Sequence, residues 1–228
     1  MKPSVVVVLV SVALVSVALS ACGEPKSFLV HRPEHQGVDE AVSEMWTAEI
    51  RHIARDGDWL LTRSYYAVGD AIALVTPGED LSHASIYDAT HNTVIESIGS
   101  GVREIPLRQL VDRNHYLIVV RPGGMTEQER RESVDRARTK VGVEFDVGGL
   151  FGFDDEDRFY CSELVYWAAQ TEARTGDRHA VITPADLMKY GEVVYWSGQR
   201  TDAQIMDLAV AKAGRADPPM IRTAAAPR

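Results

Sequence analysis

Cysteine is scarce: 228 residues hold only Cys22 and Cys161, which excludes a disulfide-stapled scaffold and leaves no CxxC pair for a structural zinc site. Basic clusters are missing as well. With 24 Lys and Arg against 33 Asp and Glu, and a formal net charge of -9, the chain has no surface suited to releasing counterions from phosphates, and nucleic acid is not expected as a partner. HExxH and HxH spacings are absent. Glycines 148, 149 and 152 come without the Lys-Ser/Thr or GxGxxG context of a phosphate loop. The acidic run Asp154 to Asp157 lacks the spaced ligands and central Gly of a calcium loop. No metal and no cofactor is expected. Internal repeats are missing too, and the longest apolar run, Val5 to Leu19, is short of the ~20 residues a spanning helix needs.

That run, preceded by Lys2, has the layout of an export signal over residues 1–21. It ends in Leu19-Ser20-Ala21-Cys22, which resembles a bacterial lipobox and implies a lipid-modified Cys22 as the first residue of the mature chain. Gly23 in place of Asp implies, by resemblance to Gram-negative lipoproteins, outer-membrane sorting. The expected location is the bacterial cell envelope, lipid-anchored to the membrane, and in a Gram-negative host the outer membrane facing the periplasm. A tether over 22–37, one domain over 38–197 and a partly disordered tail over 198–228 follow, the 45% hydrophobic content supporting one core.

Periodicity predicts an α+β fold. Val42, Met45, Trp46, Ile50 and Ile53 recur at helical spacing between Val38 and Arg55. Strands are expected at Asp58 to Arg63, Ser82 to Tyr87, Asn92 to Ser97, Gly101 to Glu104, Tyr116 to Arg121 and Val193 to Trp196. Helical segments are expected at Val68 to Val75, Leu107 to Arg113, from Thr126 to about Lys140 behind a capping box, from Cys161, and after Thr183-Pro184. Asp202 to Ala213 reads as weakly amphipathic, and Ala216 to Arg228 as disordered.

The chemistry concentrates in two runs. FYCSELVYWA sets Cys161 in the first turn of a helix, beside Ser162 and Glu163, where the dipole favours a thiolate. Leu164, Val165 and Ala168 share its stripe, the mark of a face packed on a sheet. If Cys22 carries lipid, Cys161 has no disulfide partner. LSHASIY places His83 on a strand, with Ala84 and Ile86 on the opposite face together with Ile95. A two- or four-residue hairpin loop, taken as Asp88 to His91, sets Glu96 directly opposite His83 and on the same face. Cys161, His83 and Glu96 then read as nucleophile, base and orienting carboxylate. His83, His91, Glu96 and Cys161 as mixed zinc ligands are the rival use of the same atoms.

These blocks resemble the circularly permuted papain-like hydrolases of the NlpC/P60 superfamily, in particular the YiiX/YebB/YaeF group. The matching segments are Gly57-Asp58-Trp59-Leu60-Leu61, Ser82-His83-Ala84-Ser85-Ile86-Tyr87, Val94-Ile95-Glu96 with Gly101-Val102, Phe145-Asp146, and Tyr160-Cys161-Ser162-Glu163-Leu164, with the His strand ahead of the Cys helix as in the permuted order. Ala84 stands where Val is common. The resemblance implies a small antiparallel sheet packed on a nucleophile-bearing helix, a Cys161-His83-Glu96 site, an oxyanion hole that includes the Cys161 N–H, and Tyr160 as a candidate substrate contact. It implies a cysteine hydrolase acting through an acyl-enzyme on an amide bond, with cell-wall peptide as the leading substrate. Acyl-lipid, ester or thioester cleavage, acyl transfer, and a catalytically idle envelope-binding lipoprotein are the alternatives. The expected partners are a peptide or acyl-containing envelope substrate and the membrane; the oligomeric state is not legible.

Overall fold

A computed structural model describes residues 30–65, 80–153, 155 and 157–214. The export signal, Cys22, the expected helix at Val68 to Val75 and the segment from Ala216 lie outside the described residues. Helix α1 (Gln36–Ile53) precedes strand β1 (Trp59–Ser64), and β2 (His83–Asp88), β3 (Thr93–Ile98) and β4 (Gly101–Pro106) form two successive hairpins. Helix α2 (Leu107–Asp112) leads into β5 (Asn114–Pro122), followed by α3 (Glu127–Arg138), α4 (Cys161–Ala168), α5 (Thr171–Thr175), α6 (Pro184–Leu187), β6 (Gly191–Trp196) and α7 (Ala203–Ala213). The six strands make one antiparallel sheet in the order β4-β3-β2-β1-β5-β6.

Alternation along the central strands divides the core in two. Trp59, Leu61, Ala84, Ile86, Ile95, Ile118 and Val120 pack with Leu164, Val165 and Ala168 of α4 and with Val134 and Ala137 of α3. The intervening residues Leu60, Tyr87, Val94, Leu117 and Val119 pack with Val42, Trp46 and Ile50 of α1, with Leu110 and Val111 of α2 and with Ala209 of α7. Both faces of the sheet are therefore covered, which is why Leu117 to Val120 reads as an unbroken apolar run.

Local chemistry sets the element ends. Thr126 Oγ1 accepts from Glu129 N at 3.2 Å and Glu129 returns a bond to Thr126 N at 2.6 Å, satisfying two free N–H groups at the start of α3. Gly57, at φ +77°, lies so close to Arg130 that a Cβ there would stand 2.5 Å from its carbonyl oxygen, so the turn before β1 requires glycine. Next to it, the buried Asp58 accepts from Arg55 N and from Arg121, tying the start of β1 to β5.

Beyond β6, helix α7 (Ala203–Ala213) lies where the weakly amphipathic pattern places it, with Ala209 packed against α1. Arg200 is fully buried and donates to the carbonyls of Asn114, Asp39 and Val111, to Asp39 Oδ1 at 2.9 Å and to Ser43 Oγ at 2.8 Å. Its guanidinium also stacks on Trp46 at 4.7 Å. One side chain thus joins α1, the end of α2 and the start of β5. Arg200→Ala strands these acceptors and opens a cavity, and a stability loss of about 3–5 kcal/mol is expected in denaturant unfolding; a change below about 1 kcal/mol rejects this role.

Candidate active site

Four anchors fix the segment that carries Cys161. Ser97 Oγ of β3 donates to Phe159 O, and Ser162 Oγ donates to Ile182 O at 2.7 Å. Glu163 Oε2 accepts from Tyr160 N at 3.0 Å, closing the first turn of α4 from within. Tyr160 is 3% exposed and its hydroxyl accepts from Ile182 N at 2.8 Å. Its phenol is thereby occupied in holding the turn. A groove of about 930 Å³ runs along the flank of α4 past Tyr160, Trp167 and His179, but neither Cys161 nor His83 lines it.

With these anchors the start of α4 lies over the beginning of β2. Cys161 is 6% exposed, and its sulfur receives the Ala84 N–H and a hydrogen bond with the His83 ring. His83 is the first residue of β2, and its Nε2 stands 2.7 Å from Glu96 Oε2. Since Nε2 faces the carboxylate, Nδ1 is left to face the thiol.

The hairpin register differs from the expected one. Asp88 pairs with Thr93 and Ser85 with Glu96, so Glu96 faces Ser85 and reaches His83 along the diagonal. The turn starts one residue later because the Asp88 carboxylate accepts from His91 N at 3.0 Å and lies 2.7 Å from its Nδ1, while Asn92 closes the turn at φ +56°. The displacement is two residues, an even number, so the side chains keep their faces and the diagonal stays within reach of a long side chain. His91 is thereby held at the far end of β2 from His83. Among the described residues, no group of three or more His, Cys, Asp or Glu side chains is placed to hold a metal ion.

Glu96 is fully buried and carries two further partners that the sequence reading missed. Arg103 Nε donates to Oε1 at 2.9 Å, and Arg113 Nη2 donates to Oε2. The two-residue loop Gly99-Ser100 fixes Arg103 opposite Glu96 and carried that signal. Arg113, at the junction of α2 and β5, had none.

Electrostatics follow from this geometry. For His83, burial opposes the imidazolium, but hydrogen bonds to Cys161 and Glu96 and their negative charges outweigh it and push the pKa up to about 9. For Cys161, burial raises the pKa, yet the His83 hydrogen bond and charge, with the Ala84 and Ser162 bonds, leave it below the ordinary thiol value. Burial also disfavours the Glu96 carboxylate, and His83 and Arg113 hold it well below the usual range. The arrangement supports a thiolate-imidazolium pair backed by a carboxylate. Alkylation of Cys161 by iodoacetamide is expected to stay fast at pH 6–7, well under the free-thiol pKa of about 8.5, and to track a normal thiol in His83→Ala; a native profile centred near 8.5 contradicts the pair.

No curated protein matches the chain. Among solved structures, the metalloprotein yiiX from Escherichia coli O157:H7 aligns with a TM-score of 0.48 at 20% identity, over 64% of this chain and 97% of that one. A family model described as the permuted papain-like amidase enzyme, YaeF/YiiX, C92 family, matches residues 53–195. The match takes in the His83 strand, Glu96 and the Cys161 helix in the permuted order and spans more than half of the sequence, and the chain belongs to this family of cysteine hydrolases.

Proposed function

We propose that the protein is an exported, lipid-anchored amidase acting on cell-wall peptide through Cys161, His83 and Glu96. The observation that carries this reading is the continuous contact from the Cys161 sulfur through the His83 ring to the buried Glu96 carboxylate, in a chain of amidase family. The thiolate attacks the amide carbonyl carbon, and the Cys161 N–H at the start of α4 faces the developing oxyanion. Imidazolium His83 gives its proton to the departing amine as the C–N bond breaks, leaving a thioester. Neutral His83 then takes a proton from water, the hydroxide oxygen adds to the acyl carbon, and collapse returns the thiolate and a free carboxylic acid. Glu96 holds the ring orientation and stabilises its cationic form.

One observation favours a second reading, an acyl-chain substrate. Phe151 and Phe153 are 73% and 76% exposed on the turn that packs against Tyr160, just ahead of the nucleophile. Acyl-ester probes set beside muropeptides decide between the two.

With muropeptide as substrate, Cys161→Ala is expected to abolish turnover and Glu96→Gln to lower kcat by roughly 10- to 1,000-fold, because Gln accepts the ring N–H but does not stabilise imidazolium. In the native enzyme kcat/KM falls as pH rises through about 9, where His83 loses the proton destined for the leaving amine. Full activity in Glu96→Gln removes that residue from the site. Anchoring is tested separately: labelled palmitate should enter the native protein and not Cys22→Ser, which leaves the membrane fraction, and absence of label from the native chain rejects the anchor.

A further inference from the structure

A carboxylate that orients an imidazole needs one partner, and Glu96 has three. Its Oε2 receives both His83 Nε2, at 2.7 Å, and Arg113 Nη2, while Oε1 receives Arg103 Nε at 2.9 Å. His83 and Arg113 therefore share one oxygen. The backbone of Arg113 fixes it in that contact. It caps α2, whose Leu107, Leu110 and Val111 are buried, its N–H donates to Leu110 O, and its carbonyl accepts from Tyr65 N just beyond β1. Arg200 donates to the carbonyls of Val111 and Asn114 on either side of it. The guanidinium thus reaches Glu96 from a braced junction, and with its side chain 13% exposed and the carboxylate fully buried the contact is weakly screened.

We infer that Arg113, assisted by Arg103, is a positioning residue that acts through Glu96 to hold down the proton affinity of His83. This rests on the Cys161-His83-Glu96 reading of the site and deepens it. In the proposed reaction the doubly protonated ring must give a proton to the leaving amine, and a general acid works best when its pKa lies near the working pH. A buried carboxylate with no other cation would hold imidazolium too tightly for that transfer. Two guanidinium groups draw off part of its charge, and Arg113, on the shared oxygen, draws the larger part. They also fix the carboxylate plane through both oxygens, so Oε2 stays on the ring nitrogen. Among the described residues, the other charged group at the ring is the Cys161 sulfur from α4, and β1 sets the uncharged Thr62 opposite His83.

The test is a pH titration of His83 by NMR of its labelled ring nitrogens, in the full chain with Cys161→Ser. That background removes the thiolate and leaves the ring with Glu96 and its two arginines. Arg113→Gln should raise the midpoint by roughly one pH unit, the size expected for one charge lost at short range under protein screening. Arg113→Lys, which keeps the charge, should stay near the starting value. Arg103→Gln should move the midpoint the same way by less, and it decides alone if Arg113→Gln does not fold. With the thiol restored and muropeptide as substrate, Arg113→Gln should carry the alkaline limb of kcat/KM upward with the ring and lower kcat more than it changes KM. An unmoved or lowered midpoint overturns the inference, because a purely structural Arg113 would cost stability without shifting the ring. A Lys form that shifts as far as the Gln form overturns it too, since charge is then not what Arg113 supplies. Absence of native turnover on muropeptide rejects the proposed substrate but does not touch the NMR titration, so the two failures are distinguishable.

Discussion

The Glu96 carboxylate, fully buried between strands, is the constraint on which the rest of the site depends. An isolated buried charge is untenable, so the fold must bring it cations with well-formed hydrogen bonds. It does so from three directions: His83 from β2, Arg103 from β4 and Arg113 from the junction of α2 and β5. Each partner settles part of the architecture. Arg103 requires the short loop between β3 and β4, Arg113 requires α2 to end beside the sheet, and His83 requires an even offset between β2 and β3.

The charge on Glu96 also bears on the thiol, through the His83 ring. Burial alone disfavours both imidazolium and thiolate, yet the carboxylate favours the cation and the cation favours the thiolate. Ionisation therefore propagates along the contact from the interior of the sheet to the first turn of α4. The mechanical side is equally explicit. Ser97, Glu163, Tyr160 and Ser162 hold residues 159–162 with short hydrogen bonds, so the sulfur stays beside Ala84 N–H and the His83 ring.

Much of this was legible in particular residues. The capping pair Thr126 and Glu129, Pro184 at a helix start, and the stripe of Leu164, Val165 and Ala168 each encode a local preference, and each appears where the pattern places it. The α+β class and the position of Cys161 in a helical first turn follow from the same short-range rules. The partner of the Tyr160 hydroxyl, the N–H of Ile182, was not legible, because adjacency to Cys161 says nothing of where a hydroxyl finds its partner. The role of Arg200 was not legible either, since a single buried side chain leaves no periodic trace.

What the sequence by itself determined is therefore the set of elements, the faces their side chains occupy and the candidate pairing of Cys161 with His83. Periodicity is a property of neighbouring residues, and it survives any even shift of register. Only the tertiary structure decided that Glu96 lies diagonal to His83, that Arg103 and Arg113 converge on it, and that the Ala84 N–H meets the sulfur. Those contacts join segments distant in the chain, and they are selected by the cost of leaving a buried charge unpaired, a cost that arises only once the sheet and helices have closed around it.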